Sequence, residues 1–271
     1  MNRILVFLLA PFLFIACQPG QTTEEQTAEI DGVGLAYANP PAEGFNESAS
    51  DEKAIAIADS VMQAMGGRKA WDTTQYVSWN FFGARTLLWD KQSGDVRIEV
   101  PRDSAIYLIN VDSDQGKVAM GGEEITDTDS LTKYIERGKS IWINDSYWLF
   151  MPFKLKDSGV TLTYVGEDTI QGGESAEVLE LRFEGVGVTP QNKYQVYVDP
   201  NDYMVTQWAF YPTVEMDTPR FMTPWAEYEK YGSLMLSGDR GERNITDIEV
   251  METIPEGTFS NLEEFQLLKS S

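Results

Sequence analysis

Apolar residues recur at helical spacing from Asp51 to Met65, where Ile55, Ala58, Val61, Met62 and Met65 share one face. Gly66-Gly67 closes the run with residues that tolerate left-handed backbone, so the helix is expected to end there. Trp71 follows and is expected to pack back onto the same core. From Tyr76 the period changes to two: Val77, Trp79 and Phe81 alternate with Ser78, Asn80 and Phe82. Segments 85–90 and 95–100 flank the turn Lys91-Gln92-Ser93-Gly94. Segments 105–111 and 117–120 flank Asp112-Ser113-Asp114-Gln115-Gly116 in the same way. Strand following strand predicts an antiparallel meander and not a βαβ series.

A second helical period runs from about Asp129 to Ile141, with Leu131, Tyr134 and Ile135 on one face and Asp127 or Asp129 as N-cap. Asn144-Asp145 then reads as a turn, and Pro152 as the end of ladder pairing. Strands resume at 160–166, 177–183, 193–198 and 203–211, separated by Gly172-Gly173 and Asp199-Pro200-Asn201-Asp202. A last pair spans 226–236 and 244–252, divided by Gly238-Asp239-Arg240-Gly241. The fold class this predicts is mainly β with α (α+β). It is a single curved antiparallel sheet, or incomplete barrel, of about ten strands covered by two helices.

The amino-terminal 50 residues follow neither period. Residues 1–17 read as a secretory signal: Arg3 supplies the positive end, and Ile4 to Ile15 is an uncharged apolar run too short to span a bilayer. The run ends in Phe14-Ile15-Ala16-Cys17, a lipobox-like end in which a small residue precedes the chain's single cysteine. Cys17 is therefore the expected lipidation site and membrane anchor. Residues 18–50, rich in Gln, Thr, Glu, Pro, Ala and Ser, read as a flexible tether with a reach of roughly 30 Å. Residues 51–271 read as one folded domain. The expected location is exported: an outer-membrane lipoprotein facing the periplasm, or the cell surface.

Composition narrows the chemistry. The chain has 271 residues, 43 acidic and 21 basic side chains, a net charge of −22, no histidine and one cysteine. That excludes histidine-dependent triads and dyads, an intrachain disulfide and a Cys/His zinc site. The negative charge argues against a nucleic-acid partner. Asp112, Asp114, Gly116 and Glu123 have the offsets of a calcium loop, but Lys117 stands where such a loop needs glycine, so a hairpin turn explains them better. With 43 acids, the adjacent pairs Glu123-Glu124 and Glu263-Glu264 carry little information about catalysis. The sequons at Asn46, Asn144 and Asn244 carry none in a bacterial lipoprotein. No cofactor is implied.

Large apolar side chains concentrate on the strands. Trp79 and Phe81 share a face, and Leu88, Ile98, Tyr107 and Ile109 join them if the hairpins pair in simple register. Later strands add Leu162, Tyr164, Leu179, Leu181, Val196, Val198, Trp208 and Phe210. Two readings stand: a filled core, or a curved sheet whose mouth leaves room for a fatty chain. Trp142, Tyr147 and Trp148 fit core packing, a ligand lid or a carbohydrate platform.

The segments "WINDSYWLFMPFKLKDSGVTLTYVGEDT" (142–169) and "YQVYVDPNDYMVTQW" (194–208), after the order helix, Gly-Gly, Trp and meander, resemble the LolA/LolB superfamily of periplasmic lipoprotein and lipid carriers. More closely they resemble a group of Bacteroidota lipoproteins related to it. The resemblance covers about residues 51–255. It implies a hydrophobic cavity, no catalytic activity, lipid or lipoprotein acyl chains as partners, and an arginine inside the cavity mouth, for which Arg85 and Arg97 are the strand candidates. The expected ligand-binding residues are Trp79, Phe81, Leu88, Ile98, Tyr107, Trp148, Trp208 and Phe210. The expected function is a membrane-anchored, non-catalytic binder of a lipid or acylated ligand. The alternatives are an envelope-assembly lipoprotein with a filled core and a protein partner, and, remotely, a carboxylate-dependent glycan hydrolase.

Overall fold

The computed structural model describes residues 39–263. The expected signal and Cys17 lie outside that range. Helix α1 (Glu52–Ala64) buries Ala54, Ile57, Ala58, Val61 and Met62 along one stripe. It stops at Gly66, whose φ of 113° is left-handed, and α2 (Gly67–Thr73) starts at once. Gly66 is required by more than the turn. A Cβ there would stand 2.3 Å from the Ser233 carbonyl oxygen, where a later hairpin meets the helix end.

The meander follows: β1 (Tyr76–Phe81), β2 (Arg85–Asp90), β3 (Asp95–Val100), β4 (Ala105–Asn110), β5 (Gln115–Met120) and a short β6 (Glu123–Glu124). The seventh strand of this sheet is the last in the chain, β14 (Ile245–Met251), which returns to pair with β1. Register puts Trp79 opposite Leu87, Leu87 opposite Ile98, Ile98 opposite Tyr107 and Tyr107 opposite Val118. These residues form the inner face and belong to the main core. Leu88 pairs with Ser78 and Arg97 and so points the other way. Adjacent strand residues face opposite sides, so the inward position belongs to Leu87.

Helix α3 (Thr128–Phe150) is 23 residues long. Asp127 caps it, its carboxylate accepting from the Ser130 amide at 2.9 Å. The expected turn at Asn144-Asp145 does not form. Asp145 turns its carboxylate to Arg85 instead of to local backbone, and the helix runs on to Phe150. Gly138 lets α3 lie close on β4: a Cβ there would stand 3.1 Å from side-chain atoms of both Tyr107 and Ile109.

Past α3 a second sheet begins: β7 (Val160–Thr169), β8 (Ser175–Phe183), β9 (Lys193–Val198), β10 (Val205–Tyr211) and the edge strand β11 (Phe221–Pro224), in the order β11-β10-β9-β8-β7. The segment read as one strand at 226–236 is a hairpin, β12 (Ala226–Tyr231) and β13 (Leu234–Asp239), turning at Gly232-Ser233. The predicted class, antiparallel β with a few helices, holds, and no sheet among the described residues closes into a barrel. Among the described residues the strands number fourteen and lie in three sheets. The crossing by α3 ends one sheet at β6 and opens the next at β7.

Residues 39–50, expected as tether, are held to the fold by hydrogen bonds. The Ala42 amide donates to Lys156 O at 2.9 Å and the Asn46 amide to Val160 O at 3.0 Å. Asn39 Nδ2 donates to Asp59 at 2.7 Å. The Ser50 hydroxyl and Asp51 carboxylate accept from the Leu162 and Tyr164 amides, so they start β7 rather than cap α1.

On the outer face of the first sheet, Arg97 is 1% exposed. It donates to the carbonyls of Thr258, Asn261 and Glu263 and pairs with Glu99 at 2.5 Å. Leu88 and Leu108, its neighbours across the ladder, are buried on the same face.

Candidate functional site

A cavity of about 910 Å³ opens between α3 and the second sheet. That is within the range of small-molecule sites. Eight residues of α3 line it, and four of them, Ser140, Ile143, Tyr147 and Phe150, stand at spacings of three, four and three, the period of one helical face; Trp142, Asn144, Ser146 and Trp148 widen that face on either side. Each strand from β7 to β10 adds one residue: Val160, Phe183, Tyr194 and Trp208. The loop Val186–Thr189 borders it, as do Trp89 of β2 and Asp112 of the β4–β5 turn.

The walls are stacked aromatics. Tyr194 and Trp208 lie parallel, 5.0 Å apart with 2° between planes. Trp148 meets Trp208 edge-on at 4.8 Å, and Tyr147 lies 5.5 Å from Tyr194. Trp89 and Trp142 form another edge-on pair at 5.2 Å. Such contacts add about 0.5–1.5 kcal/mol each beyond area burial, so these rings are held in place. Arg240 fixes the end of α3. Its Nη2 donates to the Trp148 carbonyl at 2.7 Å, and its guanidinium lies 3.5 Å over the Trp225 ring. Burial lowers its pKa.

Polar chemistry in the walls is sparse. The charged lining residues are Asp112, Lys154 and Asp157, and Lys154 forms an ion pair with Asp157. The Tyr147 hydroxyl and the indole N–H groups of Trp89, Trp142 and Trp208 are buried behind the ring faces without a hydrogen-bond partner. Burial pushes the Tyr147 phenol well above its usual pKa and raises that of Tyr194.

Of the eight residues expected to bind ligand, Trp148 and Trp208 line the cavity. Trp79, Phe81, Ile98 and Tyr107 lie in the packed core under the first sheet, each at most 6% exposed, and Leu88 is on that sheet's outer face. Phe210 packs on Tyr194 and Phe221, beside the lining ring of Trp208 and not on the cavity wall. Neither candidate mouth arginine reaches the cavity: Arg85 pairs with Asp145, and Arg97 binds the carboxy-terminal segment. Trp89, Phe150, Phe183 and Tyr194 were not picked out from the sequence. The signal was present in the spacing of 140, 143, 147 and 150, which a turn at Asn144-Asp145 interrupts.

No helix among the described residues is long and apolar enough to cross a membrane, and these residues contain no cluster of three or more potential metal ligands. No family model matches the sequence, and no curated protein matches it. Among solved structures the chain is similar to a DUF1329 family protein from Desulfovibrio piger, at 12% identity and a TM-score of 0.43 over 77% of this chain and 98% of that one. It is similar to a putative outer membrane lipoprotein-sorting protein domain from Vibrio parahaemolyticus, at 13% identity and a TM-score of 0.42 over 77% and 97%. A LolA superfamily protein from Nitrosomonas europaea is similar at 11% identity and a TM-score of 0.40 over 77% and 97%. Likenesses of this size describe overall shape and say nothing of function.

Proposed function

We propose that this chain is a non-catalytic binder of a lipid or acylated molecule, held in the cavity between α3 and the second sheet. The observation that carries the reading is the cavity itself: about 910 Å³, walled by aromatic rings, with few charges. Burial of an acyl chain there contributes roughly 0.8 kcal/mol per CH₂. In this reading the ligand-binding residues are Tyr147, Trp148, Phe150, Phe183, Tyr194 and Trp208. Of the other residues expected from the sequence, Trp79, Phe81, Ile98 and Tyr107 belong to the core behind α3, Phe210 packs beside Trp208, and Leu88 takes no part.

The proposal includes an acyl anchor on Cys17 and a place in the outer membrane facing the periplasm. The apolar run ending in Ala16-Cys17 supports the anchor, and Gln18, where an inner-membrane retention signal would have Asp, is compatible with the outer membrane. The full chain, purified from membranes, is extracted with organic solvent and the extract read by mass spectrometry. A stoichiometric acyl compound beyond the anchor supports the reading. An empty extract, together with no saturable displacement of a neutral fluorescent probe, overturns it. The anchor has its own check: Cys17→Ser is expected to move the protein from the membrane fraction to the soluble fraction.

A further inference from the structure

Deepening that reading, we infer that the cavity selects uncharged acyl compounds, such as acylglycerols, over free fatty-acid anions. The inference rests on that reading and adds its charge selectivity.

A carboxylate moved from water into an apolar site needs a cation to offset its charge, and neutral donors alone replace only part of its hydration. The cavity offers no such cation. Its one basic lining residue, Lys154, is taken by Asp157 three residues on, and both line the same wall. Asp112, on the turn between β4 and β5, adds an unpaired negative charge at the border. Arg85, the strand arginine that meets α3, is committed elsewhere, with two guanidinium hydrogen bonds to Asp145. Counting the lining, two acids and one base leave −1, on a chain whose total is −22. Local and global fields therefore have the same sign, and both repel an anion at the mouth.

An acylglycerol brings the same hydrocarbon with no charge. Its hydroxyl and ester groups can meet Ser140, Asn144, Ser146, Ser158 and Thr189, the uncharged polar residues of the lining. The two ligand types differ at the head alone, so their ratio reads the electrostatics and cancels the chain.

The test is displacement of a neutral fluorescent probe, N-phenylnaphthylamine, from the full chain at neutral pH and low salt. Monopalmitoylglycerol is expected to displace it at a concentration at least about tenfold below that needed for palmitate. Asp112→Lys reverses the one unpaired lining charge on an exposed turn and is expected to narrow that ratio to about threefold or less. Palmitate equal to or better than monopalmitoylglycerol overturns the inference and leaves the acyl-binding reading standing. A ratio unmoved by Asp112→Lys overturns its electrostatic cause. Failure of the probe to bind at all overturns the acyl-binding reading, and this inference with it.

Discussion

Arg85 and Asp145 are joined by two hydrogen bonds, Nε to Oδ2 at 2.5 Å and Nη2 to Oδ1 at 2.6 Å, tying β2 to the carboxy-terminal part of α3. The two ends of this pair are not equivalent. The Asp145 side chain is 0% exposed and that of Arg85 is 23% exposed. Removing the arginine strands a buried carboxylate. Removing the aspartate leaves an arginine that can turn to water. Arg85→Ala is therefore expected to cost about 3 kcal/mol in denaturant unfolding, and Asp145→Ala clearly less. Equal costs would mean that lost packing, and not the stranded charge, sets the effect.

The same pair has a pH signature. Burial raises the Asp145 carboxyl above its ordinary pKa, and Arg85 opposes that rise. The folded chain thus holds the proton more tightly than the unfolded chain. Asp145 favours folding most below the ordinary aspartate pKa, and the benefit fades as pH climbs through the raised value. Asp145→Asn cannot ionise. The unfolding free energy of wild type minus that of Asp145→Asn is expected to fall as pH rises from about 4 to 7. A rising difference would show that Arg85 outweighs burial.

Gly66 and Gly83 share left-handed backbone but not surroundings. A Cβ at Gly66 would strike the Ser233 carbonyl oxygen at 2.3 Å, while one at Gly83 meets nothing within 4 Å. Gly83→Ala carries only the conformational penalty, about 1 kcal/mol. Gly66→Ala adds a clash with backbone at the joint between α1 and β13, where the Met235 amide donates to Met65 O at 3.0 Å. It is expected to lose at least about 1 kcal/mol more by thermal or urea unfolding. Matching losses would mean that the hairpin yields freely.

Parts of the first sheet were legible in the sequence because polar turns set strands apart, Lys91-Gln92-Ser93-Gly94 before β3 and Asp112-Ser113-Asp114 before β5. The bounds 85–90, 95–100 and 193–198 match those observed. Leu88 shows the limit. Period two marks a face only where the other face is polar, and the outer face here is covered, through Arg97, by a segment some 160 residues later in the chain. The cavity was less legible for a related reason. Asn144-Asp145 has the composition of a turn, and the ion pair that keeps Asp145 in a helix comes from Arg85, 60 residues earlier. Local propensity carries no record of either partner.

Two buried tyrosines test how the molecule treats hydroxyl groups. The Tyr147 hydroxyl lacks a partner, and that of Tyr228 donates to Val205 O at 2.9 Å. Burying a hydroxyl without an acceptor costs solvation that nothing returns, while a satisfied one contributes about 1 kcal/mol net. Tyr147→Phe is expected to leave stability unchanged or raise it by up to about 1 kcal/mol, and Tyr228→Phe to lower it by about 1 kcal/mol or somewhat more. A destabilised Tyr147→Phe protein would reveal an acceptor for its hydroxyl in solution.

Trp79 and Trp208 separate core from site. Both are at most 1% exposed, yet Trp79 sits under the first sheet against Phe150 at 5.4 Å, and Trp208 lines the cavity. Trp79→Leu leaves a void among atoms that relax little, and is expected to cost about 2–4 kcal/mol of stability. Measured well below its unfolding temperature, it should bind the neutral probe as wild type does. Trp208→Leu removes the ring stacked on Tyr194 at 5.0 Å and reshapes the wall itself, so its probe affinity is expected to fall at least about fivefold. If Trp79→Leu weakens the probe as much as Trp208→Leu does, then the inner face of the first sheet takes part in binding, and the ligand reaches past α3 into the core that the structure shows filled.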